Sequence, residues 1–379
     1  MSTPHKLQMV DLKGQYQKIK QEVDSAIHDV IESTAFIKGE PVKLFEDELA
    51  VYLGVKHVIG CANGTDALQL ALMALDLKPG DEVITPDFTF IATVEVVALL
   101  GLKPVLVDVD IDHFSIDIDS LKSAITPKTR AIIPVHLFGQ CANMEAIMQV
   151  AKENNIYVVE DVAQAIGSTY SFSNGKTAMA GSIGHVGCTS FFPSKNLGCF
   201  GDGGAIFTND DALANELRSI ANHGMKIRYH HDRIGVNSRL DTIQAAVLRV
   251  KLKHLNEYNK ARQLAAQRYD EFFAKVSQMQ IPSRVSWSDH TFHQYTLKLV
   301  AGDRKRLLEK LNQKSIPAMV YYPIPLHRQK AFEEFVDGNS KTTYPNSLKL
   351  SEMVFSLPMH TELTEEIQRY IANNVIESL

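Results

Sequence analysis

The segment from Arg130 to Asp161 reads RAIIPVHLFGQCANMEAIMQVAKENNIYVVED and contains two apolar runs separated by an amphipathic stretch. The two runs, RAIIPVHLFG and IYVVED, are rich in β-branched residues, as buried strands are. The stretch between them, MEAIMQVAKENN, has the length and pattern of a helix. A strand, a helix and a strand in this order predict two parallel strands joined by a crossover helix.

The same alternation continues on both sides of this segment, from about residue 57 to about residue 210. Further strand candidates are KHVIGC, DEVITP, KPVLVDVD, GCTSFF and GAIFTN. Helical stretches such as TDALQLALMAL and ATVEVVALLG lie between several of them. The pattern predicts an α/β fold with a largely parallel sheet and helices on both of its faces.

A different pattern begins after about residue 241, where apolar side chains recur at helical spacing over a long stretch. They are Leu248, Leu252, Leu255, Tyr258, Ala265, Tyr269 and Phe272. A helix of this length is typical of a connector whose far end enters a second domain. We therefore expect a large domain over residues 1–245, including an N-terminal arm, and a smaller C-terminal α/β domain over residues 246–379.

The composition excludes several classes of function for this chain of 379 residues. Its formal net charge of -5 is dispersed, which predicts no nucleic-acid partner. No apolar run approaches the roughly 20 residues of a membrane span, so no membrane partner is expected. The N-terminal MSTPHKLQMVDLKGQYQKIK lacks an apolar signal core, and the four cysteines lack CxxC spacing. These features predict a cytoplasmic protein without disulfides or a structural metal site.

Two polar groups follow predicted strands, at the edge of the sheet where α/β proteins bind ligands. In CANGTDALQLAL, Gly64 permits a tight turn and Thr65 can cap the following helix, whose free N–H groups suit a phosphate. An ordinary capped helix is the alternative. In VVEDVAQAIGS, Asp161 ends an apolar run and Gln164 can face the same pocket. Here the alternative is that Asp161 caps a helix.

A third group lies in SFFPSKNLGCFGDGGAIF, from Ser190 to Phe207, where Lys195 stands between aromatic residues and a glycine cluster. The alternative is a lysine on a surface loop. Taken together, a phosphate cradle, a carboxylate and a secluded lysine are what pyridoxal phosphate requires, because its aldehyde bonds to a lysine amine. Two competing motifs fail: Tyr170 stands where a Walker A loop needs glycine, and Ile206 where GxGxxG needs its last glycine.

With these residues in hand, the chain resembles the DegT/DnrJ/EryC1/StrS sugar-nucleotide aminotransferases over nearly its whole length. The matching segments are DLKGQYQKIK, CANGTDAL, PDFTFIAT, PVHLFGQ, VEDVAQAIGS, TSFFPSKNLGCFGDGGAIFTND, GVNSRLDTIQAAVL and YYPIPLH. The resemblance implies a fold-type I enzyme dependent on pyridoxal 5'-phosphate, with a mostly parallel seven-stranded sheet. It also implies a homodimer with shared active sites that uses L-glutamate and a keto-sugar nucleotide.

The resemblance further implies a role for each matching residue. Lys195 corresponds to the Schiff-base lysine, Asp161 to the partner of the pyridine nitrogen, Gln164 to the contact of the ring hydroxyl, Phe90 to the stacked aromatic residue, Gly64, Thr65 and Ser190 to the phosphate ligands, and Asn237 to the residue that reaches the neighbouring subunit's phosphate. Related sugar 3-dehydratases have histidine in place of the lysine, so a lysine at this position favours transamination.

The segment HDRIGVNSRLD includes Arg233 and Arg239, which in a dimer can supply positive charge to a diphosphate or carboxylate. A solvated loop is the alternative. The chain looks most like enzymes that aminate UDP-2-acetamido-2-deoxy-3-oxo-D-glucuronate for lipopolysaccharide or O-antigen. Tyr321 and Tyr322 stand where that subgroup usually has His-Tyr, which leaves the sugar open, and His327 is a candidate for the sugar pocket or an ordinary loop residue. The alternatives are a dTDP- or UDP-linked 3- or 4-keto-6-deoxy sugar, or a cofactor-binding regulatory protein without turnover.

Overall fold

The computed structural model of the chain describes residues 7–336 and 343–379. The first six residues of the predicted N-terminal arm, and residues 337–342 of the predicted second domain, lie outside the described residues.

Helices and strands alternate through the first two thirds of the chain. The helices are α1 Leu12–Ser33, α2 Glu40–Leu53, α3 Gly64–Ala74, α4 Ala92–Leu99, α5 Ile118–Ala124, α6 Met144–Asn154, α7 Asp211–Ile220, α8 Thr242–Phe273, α9 Arg304–Gln313, α10 Glu333–Val336, α11 Pro345–Met353 and α12 Glu365–Ser378. The strands are β1 His57–Cys61, β2 Glu82–Pro86, β3 Lys103–Val107, β4 Thr129–Ile132, β5 Tyr157–Asp161, β6 Thr169–Ser171, β7 Thr177–Met179, β8 Val186–Ser190, β9 Gly204–Thr208, β10 Met225–Ile227, β11 His230–His231, β12 Met279–Gln280, β13 Tyr295–Leu299 and β14 Val354–Leu357. Short 3-10 turns lie at Leu137–Gly139, Leu326–Arg328 and Lys330–Phe332.

The central sheet has seven strands in the order β1-β9-β8-β5-β4-β2-β3. Strand β9 is antiparallel to both of its neighbours, and the other pairs are parallel. The reason is local: the loop from residue 191 to 203 contains no helix to make a crossover, so β9 returns beside β8 in the opposite direction. The predicted mostly parallel seven-stranded sheet is confirmed.

Both faces of the sheet are covered, because successive strand residues point to opposite sides. Val159 packs in a cluster with α3, α4 and α7, whereas its neighbour Val158 packs with α5 and α6. Several of these helices begin at a side-chain cap. Asn143 caps α6 and Asp210 caps α7, each by accepting a hydrogen bond from a backbone N–H of the first turn.

The long helix α8 contributes to two separate apolar clusters. Near its start, Leu248 and Leu255 pack with residues of α2 and β9. Near its end, Ala265 and Tyr269 pack against the antiparallel sheet β12-β13-β14 and helix α12. The predicted boundary between residues 245 and 246 falls in the first turns of α8, and the division into two domains remains a prediction.

The strands β6 and β7 form a hairpin that the sequence pattern did not predict. Its turn contains Gly175, which has a φ of 82°, a value that favours glycine. The triplet Gly175-Lys176-Thr177, which resembles the end of a Walker A loop, therefore belongs to a hairpin. Within the described ranges, none of the helices is sufficiently long and apolar to traverse a membrane.

Candidate active site

A cavity of about 690 Å³ opens at the carboxyl ends of β1, β5 and β8. This volume lies within the range of small-molecule sites in proteins, roughly 300–1,000 Å³. Nine residues predicted from the sequence line it: Gly64, Thr65, Phe90, Asp161, Gln164, Ser190, Lys195, Tyr321 and Tyr322. The parallel strands bring these residues together although they are distant in the sequence.

Asp161 is the last residue of β5, and its carboxylate is buried against this cavity. One oxygen accepts a hydrogen bond from the Ala163 N–H at 3.1 Å, and the other accepts from the Thr93 hydroxyl at 2.9 Å. Residues 162–167 form turns and not a helix, so the alternative of a helix cap is wrong. Burial raises the pKa of Asp161 above its usual range, although both hydrogen bonds and the charge of Lys195 act against this rise.

Lys195 lies in the helix-free loop between β8 and β9, is half-buried and lines the cavity. The surrounding protein disfavours the ammonium form, so desolvation lowers the pKa of Lys195 to about 8, against the attraction of Asp161. Among the described residues, no hydrogen bond or ion pair reaches its Nζ. The lysine is therefore a cavity residue and not the surface residue of the alternative interpretation.

The first turn of α3 forms one wall of the cavity. Asn63 caps this helix, because its side-chain oxygen accepts a hydrogen bond from the Asp66 N–H at 2.8 Å. The prediction that Thr65 is the cap is wrong, since Thr65 lies within the first turn. A Cβ on Gly64 would lie 2.6 Å from the Cβ of Ser190, so only glycine permits this approach of α3 to β8. The first-turn N–H groups have no helical acceptor, as an anion site requires.

Gln164 is held by two hydrogen bonds at the cavity wall. Its side-chain oxygen accepts from the Phe138 N–H at 2.7 Å, and its amide donates to the Tyr322 hydroxyl at 3.2 Å. The ring of Phe90 is 54% exposed and stands 6.3 Å from the Tyr322 ring, centroid to centroid. Phe90 therefore presents an aromatic face to any ligand of the cavity.

Four residues predicted from the sequence do not line the cavity of a single chain: Arg233, Asn237, Arg239 and His327. Asn237 is exposed and Arg239 is half-buried, just before α8. The Nδ1–H group of His327 donates a hydrogen bond to the Asp87 carboxylate at 2.7 Å, and the His327 ring stacks on Tyr344. Its ring is thus engaged away from the cavity, whereas the roles predicted for Asn237 and Arg239 depend on a second subunit.

Sequence reasoning missed several residues of the site. Thr93, in PDFTFIAT, does not line the cavity but is buried beside Asp161, and this contact is not visible in the sequence. Asp202, His293 and Gln294 line the cavity itself. The last two precede β13, in a segment whose sequence pattern indicated a strand and nothing more.

Comparison with known proteins identifies the family. The pattern that defines the DegT/DnrJ/EryC1/StrS aminotransferase family matches residues 17–376. The chain belongs to this family. It is 46% identical to UDP-2-acetamido-2-deoxy-3-oxo-D-glucuronate aminotransferase of Pseudomonas aeruginosa, over 94% of this chain and 96% of the relative. It is 44% identical to UDP-N-acetyl-3-dehydro-alpha-D-glucosamine 3-aminotransferase of Acidithiobacillus ferrooxidans, over 98% and 97%.

Solved structures agree with the fold. A DegT/DnrJ/EryC1/StrS aminotransferase from Brucella abortus superposes with a TM-score of 0.91 at 41% identity, covering 97% of this chain and 98% of the other. DesV of S. venezuelae, solved in complex with a ketimine intermediate, gives 0.92 at 37% identity, covering 99% and 98%. The predicted family and the predicted fold are both confirmed.

Proposed function

We propose that this aminotransferase uses pyridoxal 5'-phosphate to move an amino group from L-glutamate to UDP-2-acetamido-2-deoxy-3-oxo-D-glucuronate. The observation that carries the proposal is a single cavity lined by Lys195, Asp161 and the first turn of α3. Two relatives at 46% and 44% identity are named for a UDP-linked, N-acetylated sugar with an oxo group at carbon 3. A solved relative from Bacillus subtilis, at 30% identity and a TM-score of 0.88, is described with bound cofactor PMP.

The cavity residues fit this cofactor. Lys195 presents an amine without a partner among the described residues, and its pKa of about 8 leaves a useful share of free amine near neutral pH. Gly64 packs closely against Ser190, and at this point the first turn of α3 lines the cavity with backbone N–H groups that suit a phosphate. The Phe90 ring is available for stacking.

Each side chain then has a defined task. When bound, the cofactor supplies an aldehyde that accepts an amino group and a ring that takes up electrons from the substrate. Asp161, held by Thr93 and the Ala163 N–H, places negative charge where the ring nitrogen needs a partner. Lys195 attaches the cofactor and, when released, moves a proton at its Nζ as a general base and acid. Gln164 is positioned by the Phe138 N–H to contact the ring hydroxyl.

A second substrate, UDP-N-acetyl-3-dehydro-glucosamine, is favoured by one observation. The cavity lining includes three carboxylates, those of Asp66, Asp161 and Asp202. Among the described residues, Lys195 is the single lysine or arginine in this lining. A uronate substrate has an additional carboxylate at carbon 6, which needs a cation. For a uronate, Arg239 of a second subunit is the candidate cation, whereas a glucosamine substrate needs none.

The proposal extends to assembly and context. We infer a homodimer in which Asn237 and Arg239 complete the neighbouring subunit's site, because both lie outside the cavity of their own chain. We also infer that the enzyme acts in the cytoplasm, where it would make a diamino uronic acid for lipopolysaccharide or O-antigen. A relative in Geobacillus stearothermophilus, 45% identical over 97% of both chains, is named a pleiotropic regulatory protein. Regulation without turnover is therefore an outcome that the experiment must address.

The test offers a panel of keto-sugar nucleotides to the protein with L-glutamate and identifies the products by mass. The panel contains the two UDP-linked 3-oxo sugars and a dTDP-linked 3-keto-6-deoxy sugar. We expect amination of the uronate, with a loss of activity in Arg239→Gln that is confined to this substrate. Equal loss of activity with both UDP-linked sugars would show that Arg239 does not recognise the carboxylate of the uronate. Preference of the wild type for UDP-N-acetyl-3-dehydro-glucosamine would favour the second candidate substrate.

The cofactor is tested separately from the sugar. The absorbance of the protein with pyridoxal phosphate should change on addition of L-glutamate, because the donor half of the reaction needs no sugar. Lys195→Ala is the control that should show no such change. A wild-type protein that binds the cofactor yet leaves glutamate untouched, with every sugar of the panel, would contradict the proposed enzyme and favour a regulatory protein.

A further inference from the structure

A buried carboxylate joins the end of β2 to the segment that follows Tyr322. Asp87 comes directly after β2 and is fully buried. One oxygen of its carboxylate accepts a hydrogen bond from the His327 backbone N–H, and the other accepts from the His327 Nδ1–H group, both at 2.7 Å. The Asp87 carbonyl accepts a further bond from the Leu326 N–H at 3.0 Å. The two segments are therefore attached to each other at this point.

Both partners of this contact are close in sequence to residues that line the cavity. Phe90 follows Asp87 by three residues, and Tyr322 precedes His327 by five. Between Tyr322 and His327 the chain reads PIPL, and each of its two prolines fixes its own φ and restricts the residue before it. This link is therefore stiff, so the position of His327 determines the position of Tyr322.

The Tyr322 ring packs against the segment that follows Asp87. Its centroid lies 6.0 Å from that of Phe88 and 6.3 Å from that of Phe90. Its hydroxyl accepts a hydrogen bond from the Gln164 amide at 3.2 Å. Gln164 is held independently by the Phe138 N–H at 2.7 Å. A change at His327 should therefore displace the tyrosine wall of the cavity and leave Gln164, the predicted cofactor contact, in place.

We propose that His327 is a positioning residue for the keto-sugar nucleotide, which acts through Asp87 by holding the wall formed by Tyr321 and Tyr322 in place. The inference rests on the proposed function, in which these two tyrosines contact the sugar nucleotide. His327 itself is not among the described residues that line the cavity. Its part in sugar binding, which the sequence suggested as a direct contact, is therefore indirect.

The test is the steady-state kinetics of the holoenzyme with L-glutamate and the sugar nucleotide that it aminates. His327→Phe keeps a ring that can stack on Tyr344 and removes the Nδ1 donor. Since a hydrogen bond to a charged group is worth a factor of about 10 or more in an equilibrium constant, we expect KM for the sugar nucleotide to rise about tenfold. The rate of the half-reaction with glutamate should stay as in the wild type, because Gln164 keeps its bond to the Phe138 N–H. His327→Asn places an amide donor near the position of Nδ1 and should restore the wild-type KM.

The matched control is Ser347→Ala, at the end of the neighbouring strand β3. The Ser347 hydroxyl donates to the Asp108 carboxylate at 2.7 Å, and its backbone N–H donates to the same carboxylate at 2.9 Å, so one side-chain bond is lost in each variant. Ser347 is not one of the described lining residues, so KM should not change. An unchanged KM in His327→Phe, an equal rise in Ser347→Ala, or an equal loss in the glutamate half-reaction would overturn the inference. If His327→Phe does not fold, as judged by circular dichroism, His327→Leu takes its place.

Hydrogen–deuterium exchange of the holoenzyme reads the same contact without a sugar. The Leu326 and His327 amides both donate to Asp87, so a peptide that spans residues 321–332 should exchange faster in His327→Phe. It should exchange at the wild-type rate in His327→Asn and Ser347→Ala. Unchanged exchange in His327→Phe would also overturn the inference. A wild type that aminates none of the sugar nucleotides would instead count against the proposed function.

Discussion

The hydrogen bond from Thr93 to Asp161 offers a quantitative test of the site. Thr93→Val keeps the shape of the side chain and removes the hydroxyl that donates to the carboxylate at 2.9 Å. A hydrogen bond to an ionised group contributes about 1.5–3 kcal/mol and one to a neutral group about 1 kcal/mol. The difference of about 0.5–2 kcal/mol corresponds to a rise in the pKa of Asp161 by roughly one pH unit, beyond the rise that burial already causes.

The sign of the pH dependence follows from that direction. The folded-state pKa of Asp161 lies above its usual value, so its contribution to stability is full below that value and is lost as the pH rises through the folded-state pKa. Thr93→Val enlarges this loss. We expect its destabilisation to grow from about 1 kcal/mol, where Asp161 is protonated, to about 2 kcal/mol where it is ionised.

The assay is urea unfolding of the cofactor-free protein at a series of pH values from about 5 to about 8.5. Thr89→Val is the control, because Thr89 is equally buried and contacts the Thr93 hydroxyl at 3.4 Å without touching the carboxylate. Its cost should not vary with pH. If both variants lose the same free energy of unfolding at every pH, the hydrogen bond from Thr93 is no stronger to the ionised carboxylate than to the neutral one. That result would refute the reasoning.

Three further predictions concern the lysine and the phosphate wall. Lys195→Ala should abolish both turnover and the absorbance of the covalently attached cofactor, whereas Lys251→Met, which removes another buried lysine with a pKa of about 8, should keep the absorbance. Gly64→Ala should weaken cofactor affinity about 10- to 100-fold in a fluorescence titration, since overpacking costs about 1–3 kcal/mol. Acetylation of Lys195 in the cofactor-free protein should be half-maximal near pH 8, because the amine is protonated and unreactive below this value; a midpoint near 10.5 would contradict its desolvation.

The sequence sufficed for the sheet and for the main cavity residues for one physical reason. The carboxyl ends of parallel strands meet at one edge, so residues that follow different strands become neighbours without any knowledge of the contacts between them. Gly64 follows β1, Asp161 ends β5 and Lys195 follows β8, and all three line the cavity. The antiparallel β9 does not disturb this arrangement, because its return places the loop with Lys195 at the same edge.

Contacts between side chains of distant segments could not be predicted from the sequence. Two acids end β5, and alternation along the strand sends them to opposite faces. Glu160 is fully buried and accepts hydrogen bonds from the Gly181 N–H at 3.0 Å and the Ile183 N–H at 2.8 Å, whereas Asp161 faces the cavity. Asp161 was selected because it ends the apolar run, and the contacts that bury Glu160 on the opposite face are not visible in the pattern VVED. Thr93 was missed for a similar reason, because its role depends on a contact between the first turn of α4 and the end of β5.

The segment from Asn237 to Leu240 has one buried side and one more exposed side, and the single chain explains only the buried one. Ser238 and Leu240 are buried, and the Ser238 hydroxyl accepts a hydrogen bond from the Ala62 N–H at 3.1 Å, next to the first turn of α3. Asn237 and Arg239 alternate with these two residues and are more exposed. The inner side of the segment thus supports its own chain's phosphate wall, while its outer side presents an amide and a guanidinium that have no task in that chain's cavity. A shared site requires such an arrangement. A residue that contacts a neighbouring subunit must be fixed by contacts within its own chain and exposed on the side that faces the neighbour.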